Sequence, residues 1–281
     1  MNNVSINLIK EYKRKKTILM IIFTIYLLAD LIYYFNYVLS ANRDSGYQVS
    51  SDIFLVFFLL IIGFGIVISI KNQLKNNILM KVKAEYLYQR CDVISYLKII
   101  QDLLNSKYFQ VDNLTYQHLI TAAINLGDMQ MLSYYLNNYP SLGLKDNSKL
   151  VSQFALLSEE DKEKNINWFF NQWTQTLNRW YIKFVINKKI KAANNFVKGS
   201  YYVDLYYYNH DYNNCMNVLN SLIITNKYND MFVAYKKGRC LLKMGNKDEA
   251  LKCFEYVEAN ANNLNIRNDS RKFIEKIKAN S

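Results

Sequence analysis

Residues 10–90 read KEYKRKKTILMIIFTIYLLADLIYYFNYVLSANRDSGYQVSSDIFLVFFLLIIGFGIVISIKNQLKNNILMKVKAEYLYQR, and this stretch decides how the remainder is organised. It contains two apolar runs, Thr17–Leu39 and Ile53–Ile70, separated by a short polar loop and flanked on both outer sides by Lys and Arg. Each run reaches the ~18 apolar residues that carry a helix across a bilayer core. In lipid every backbone polar group must be paired within its own segment, so the pair predicts a transmembrane helical hairpin.

Five basic residues, Lys10, Lys13, Arg14, Lys15 and Lys16, directly precede the first run. A secretory signal starts similarly, but its apolar core spans only ~7–15 residues and ends at a small-residue cleavage site. Leu39-Ser40-Ala41 matches such a site poorly, so the run is expected to be retained as a membrane helix. The loop 40–52 carries one basic residue, Arg43, against Asp44 and Asp52, whereas Lys71, Lys75, Lys81, Lys83 and Arg90 follow the second run. The positive-inside rule then places both termini in the cytoplasm of a two-pass cell-membrane protein. Tyr33, Tyr34 and Tyr37 fall where an outer aromatic belt is expected. Gly63, Gly65 and Ser69 permit close helix approach without forming GxxxG.

The expected organisation is a basic N-terminus (1–16), helix 1 (17–39), the loop (40–52), helix 2 (53–70), a juxtamembrane helix (71–89) and a cytoplasmic helical domain (90–281). Gly 8 and Pro 1 among 281 residues argue against glycine-rich phosphate loops and turn-rich sheets. The net charge of +12 suits an anionic lipid surface or an acidic partner. A compositional origin is equally consistent, because Asn, Lys, Ile and Tyr are inflated together. Cys91, Cys215, Cys240 and Cys253 show no CxxC pair and no metal spacing, and are expected as free thiols in the core.

Beyond residue 71 the pattern is helical throughout. Val93, Leu97, Ile100 and Leu104 share a face; a turn at Val111–Asn113 precedes a helix over Thr115–Leu126; Gly127-Asp128 separates that helix from Met129–Asn138, which ends before Pro140. Near the C-terminus, a helix over Met231–Met244, a turn at Gly245-Asn246 and a helix over about Asp248–Ala259 form a hairpin. Gly238 and Leu241 face Ala250, Phe254 and Val257, so two small residues allow close approach and an aromatic fills the space beyond.

This segment resembles a tetratricopeptide repeat, which has small residues at matching positions, a turn, and a large aromatic on its second helix. Fainter copies place Val203, Tyr206, Tyr212, Cys215, Leu219 and Leu222 around a turn at Asn209–Asp211, and Ile120, Ala123, Leu132 and Leu136 around Gly127; a degenerate copy is suggested at Arg90–Leu103. Residues 149–198 are helical without fitting the repeat, with Ser158 as an N-cap before Glu159, Glu160 and Asp161. The basic, amphipathic helix over Asp269–Ala279 suits a capping role. The resemblance implies an all-α fold: the hairpin anchor followed by an α-solenoid of tetratricopeptide-like repeats.

His118 and His210 stand outside any HExxH or metal-ligand spacing, and no GxSxG, Walker A or GxGxxG occurs. The chain is expected not to be an enzyme and to need no cofactor or metal. Trp168, Trp173 and Trp180, with Phe169 and Phe170, are expected to serve packing, and no motif for nucleic acid is present. Two candidate sites stand out. Asp30 lies near the middle of the first membrane helix, where a charged Asp costs ~2.5–3.5 kcal/mol; it points to an intramembrane partner or proton relay, or else to a protonated or interfacially bonded carboxyl. Lys236, Arg239 and Lys243 share one face of the clear repeat's first helix. Since tetratricopeptide repeats bind peptides with that helix, the resemblance implies that these cations grip an acidic segment, with Tyr207 and Tyr208 adding contact area. The family's carboxylate-clamp pattern is not reproduced, and a solvated basic face accounts for the same spacing. The expected function is a membrane-anchored protein-interaction scaffold or assembly factor. The alternative is an accessory subunit of a transport, export or immunity system that docks through its membrane hairpin.

Overall fold

A computed structural model describes residues 3–41, 49–106, 109, 111–138, 146–177 and 188–279. Loop residues 42–48, Pro140 and Trp180 lie outside the described residues, as do the side chains of Tyr37, Leu39 and Asp52. Among the described residues the chain is all-helical, with twelve α-helices, one π-helical turn and no strand. It divides into two units: Met1–Lys81 with Gln101–Gln110, and Val82–Ile100 with Val111–Ser281.

In the first unit, α1 spans Asn3–Ala41 and α2 spans Val49–Val82. The basic N-terminus is therefore helical and continuous with the first apolar run. Both helices are long and apolar enough to cross a membrane. They meet at several points: Glu11 bonds Lys81 at 3.4 Å, the Tyr26 hydroxyl donates to the Leu59 carbonyl at 3.2 Å, and Gly63 lies beneath the Tyr26 ring. At the basic end, Tyr12 is buried with its ring 4.8 Å from that of Phe109, and the Ser5 hydroxyl donates to Asp102 at 2.9 Å. Along the apolar stretch, Ile22, Ile25, Ile32, Ile61 and Phe64 are all exposed.

The second unit opens with a π-helical turn, Lys83–Gln89, where the sequence predicts plain helix, and continues into α3 (Val93–Leu104). The further helices are α4 (Asn113–Leu126), α5 (Met129–Asn138), α6 (Asp146–Leu156), α7 (Glu159–Leu177), α8 (Lys188–Tyr208), α9 (Tyr212–Ser221), α10 (Lys227–Lys243), α11 (Lys247–Asn260) and α12 (Asn265–Ala279). Short polar side chains set their starts. Asp112, Asp211, Asn226 and Asn246 each accept a hydrogen bond from the backbone N–H three residues on, and Ser158 does the same for α7. An Asn-rich chain thereby turns its composition into helix boundaries.

Helices adjacent in sequence pack on one another from α6 through α12, as a helical repeat requires. Two aromatic layers hold them. In one, Trp173 of α7 stacks on Tyr201 of α8 at 4.5 Å and meets Phe154 of α6 edge-on at 5.0 Å. In the other, Phe254 of α11 stacks on Phe273 of α12 at 4.7 Å. A Cβ on Gly238 would lie 2.8 Å from the Phe254 ring, which is the close approach expected from the sequence.

One feature departs from an open stack, whose ends stay apart. The last helices return to the start of the unit. Asn263 accepts from the Val93 N–H at 2.6 Å and donates to Asp92 at 2.7 Å, capping α3 from 170 residues away, and α12 packs on α4. Gly127 ends α4 at φ +69°, and the Asn265 side chain fills the space where a Cβ would stand. Gly127→Ala therefore meets two penalties, a left-handed backbone at about 1–2 kcal/mol and the clash. The expected result is a lower unfolding midpoint, part of which returns in Gly127→Ala/Asn265→Ala because only the clash is relieved. Equal midpoints for the single and double variants would contradict that reading.

Candidate functional site

The cationic strip on α10 arises from helical spacing, since positions 236, 239 and 243 are three and four apart. The structure gives the three residues different environments. Lys236 is 12% exposed and pairs with Asp204 of α8 at 2.5 Å, with its ammonium 5.6 Å from the Phe232 ring centre. Arg239 is also 12% exposed: its Nη2 bonds Glu159 of α7 at 2.6 Å, and its guanidinium lies 4.3 Å from the Tyr207 ring centre and 5.9 Å from that of Tyr235. Lys243 is exposed. Tyr207 and Tyr208 are buried, and the Tyr208 hydroxyl donates to Glu159 at 3.1 Å. The expected site thus becomes, for four of its five residues, the interior joint of α7, α8 and α10.

Glu159 is the hub of that joint, taking bonds from Arg239, Tyr208 and Lys162. Partial burial pushes its carboxyl up, but Arg239 and Lys162 outweigh burial and hold it down at about 2. Burial raises the Tyr207 and Tyr208 hydroxyls above the usual tyrosine range, so both stay protonated. Position 159 in the first turn of α7 also favours a negative charge through the helix dipole. The sequence places Glu159 at a helix start, but nothing in its spacing connects it with Arg239, 80 residues on. Asp204 was equally silent. A buried cation demands an acid, yet periodicity within one hairpin cannot say which.

Asp30 is 8% exposed within α1, and no hydrogen bond or ion pair joins it to another described residue. His118 is buried, with Nδ1 2.5 Å from the Tyr96 hydroxyl. Burial, with Lys83 nearby, lowers its pKa to about 3, so the neutral ring accepts the Tyr96 proton. His210 lies in the exposed turn before α9, at φ 59°, bonded to Glu163 at 2.9 Å. Among the described residues no group of three or more His, Cys, Asp or Glu is placed to hold a metal ion. Trp168 is exposed and meets Phe169 edge-on, whereas Trp173 is buried.

These shifts give a pH dependence with two windows. Unfolding lets His118 take up a proton below its ordinary 6.5, which the folded site refuses down to about 3, so stability falls as pH drops through that interval. The Glu159 contribution is complete above 4.5 and is lost as pH falls toward 2; its side chain is 59% exposed, so water screens the effect. The unfolding midpoint should therefore decline from pH 6.5 downward, and His118→Gln should flatten the decline above pH 4.5. An unchanged slope in that variant would contradict the assignment.

Comparison of the chain with protein-family models, with curated proteins and with solved structures finds no match.

Proposed function

We propose that the chain is a two-pass membrane protein whose helical domain lies in the cytoplasm and holds a partner protein at the membrane. The observation that carries the reading is the pairing of α1 with α2 while large apolar side chains point outward. Ile25, Ile32, Ile61 and Phe64 are 58–69% exposed and lie off the groove between the two helices. A helix serving as a soluble core would bury such residues, whereas a lipid-facing helix would not. Basic residues concentrated in the first half of α1 and at and beyond the end of α2 fit the positive-inside orientation.

The interaction role rests on the hairpin of α10 and α11, whose Gly238–Phe254 contact follows the tetratricopeptide pattern. In this reading the acidic partner segment meets α10 first at exposed Lys243. Lys236 and Arg239 join only by exchanging Asp204 and Glu159 for the partner's carboxylates, with Tyr207 and Tyr208 as the wall behind them. Reversing Lys236 or Arg239 would set a like charge against Asp204 or Glu159 at a largely buried position and confound folding with binding. Lys243→Glu avoids that problem. In-cell crosslinking and capture of the full chain should lose a specific acidic partner in Lys243→Glu while the variant keeps its abundance. Equal recovery from wild type and variant would remove this face as the site.

Asp30 favours a second reading, an accessory subunit docked laterally in the membrane. A buried carboxyl in an apolar helix gains most from a donor on a neighbouring helix. Loss of a crosslinked membrane partner in Asp30→Leu, with Lys243→Glu unaffected, would select it.

A further inference from the structure

Cys215 of α9 and Cys240 of α10 bring their sulfurs to 2.9 Å, in the core shared with Val203, Leu219 and Val233. Both side chains are fully buried. This is closer than two unbonded sulfurs ordinarily pack, and contraction by less than 1 Å reaches the ~2.05 Å of a disulfide. We propose that Cys215 and Cys240 form a peroxide-sensitive dithiol that closes into an intramolecular disulfide and staples α9 to α10.

The two thiols are not equivalent. Either sulfur can donate in their shared contact, and the Cys215 S–H is also aimed at the Val203 carbonyl at 3.5 Å, whereas Lys236 and Arg239 of the same helix place positive charge near Cys240. Cys240 is thus the attacking sulfur and Cys215 the resolving one. Hydroperoxides are the oxidant class that suits a closed core, because hydrogen peroxide is scarcely larger than water and a bulky disulfide reagent is excluded. The Cys240 thiolate attacks one peroxide oxygen, the O–O bond breaks, and hydroxide leaves and takes up a proton as water; Cys240 becomes a sulfenic acid. The Cys215 sulfur then displaces the sulfenic hydroxyl, its own proton leaving with that hydroxyl as a second water. Two thiols are oxidised by two electrons and one peroxide is reduced. Cys91 is buried and Cys253 half-buried, and both lack a neighbouring thiol among the described residues, so they serve as internal controls. The proposal is independent of the scaffold reading.

The test uses the full-length protein in detergent, treated with one equivalent of hydrogen peroxide, then denatured, alkylated with maleimide and digested. The expected products are a linked Cys215–Cys240 peptide that a reductant reverses, and free, alkylated Cys91 and Cys253. Closing a loop between residues 25 apart in sequence should also raise the unfolding midpoint by roughly 5–10 °C. Recovery of Cys215 and Cys240 as free thiols, or as sulfinic and sulfonic acids without a bond, would overturn the proposal. In Cys215→Ala, dimedone should trap Cys240; no trapping in a folded variant would overturn the assigned order of steps.

Discussion

Trp173→Ala is expected to destabilise the helical domain by about 3–5 kcal/mol, the range for emptying a buried aromatic site. The indole is 1% exposed and lies where three helices meet, stacked on Tyr201 and contacted edge-on by Phe154. Those neighbours are themselves ring systems anchored on separate helices, so they cannot collapse into the space. Against a typical total stability of ~5–15 kcal/mol, the loss is a large fraction. Circular dichroism melts in detergent should show the midpoint falling by roughly 10 °C or more. The indole N–H finds no acceptor among the described residues, so Trp173→Phe should cost much less: it trims volume while removing an unsatisfied donor. Equal losses for Ala and Phe would show that packing is not what Trp173 supplies.

Phe254→Ala carries an expected loss of similar size, about 3–5 kcal/mol, in the other aromatic layer. Its ring is fully buried, stacked on Phe273, edge-on to Tyr235 at 6.2 Å and seated over Gly238. Removing it opens a void between α10, α11 and α12, and Gly238 has no side chain to fill it. Hydrogen exchange should localise the loss to these helices and leave α6 and α7 protected. Uniform loss across the domain would instead show that the two aromatic layers unfold as one.

Much of this architecture was legible because it is local. Ser158 caps α7 as its sequence predicts, Asp112 and Asn246 fall in predicted turns, and α3 and α5 end within the spans that periodicity predicts. The Gly238, Ala250 and Phe254 triplet was readable because both helices of a hairpin lie within one short segment. What stayed hidden depends on long-range closure. Glu159 meeting Arg239, Asn263 capping α3 and Cys215 beside Cys240 leave no periodic trace, since each needs the helices already placed. The π-helical turn at Lys83–Gln89 differs from an α-helix by one residue per turn in its bonding, too little to disturb the apolar pattern. The cationic strip shows the same limit. Spacing finds a shared face, while burial and acids from other helices decide whether the face is free.

The proposed function depends first on a two-helix anchor with the helical domain on the cytoplasmic side. Labelling with a membrane-impermeant maleimide tests it on cells producing Ser45→Cys or Asn280→Cys full-length chain, with the labelled peptides mapped by mass spectrometry. The account predicts that position 45 labels in intact cells and position 280 only after permeabilisation. Labelling of position 280 in intact cells, or protection of position 45 there, would contradict it.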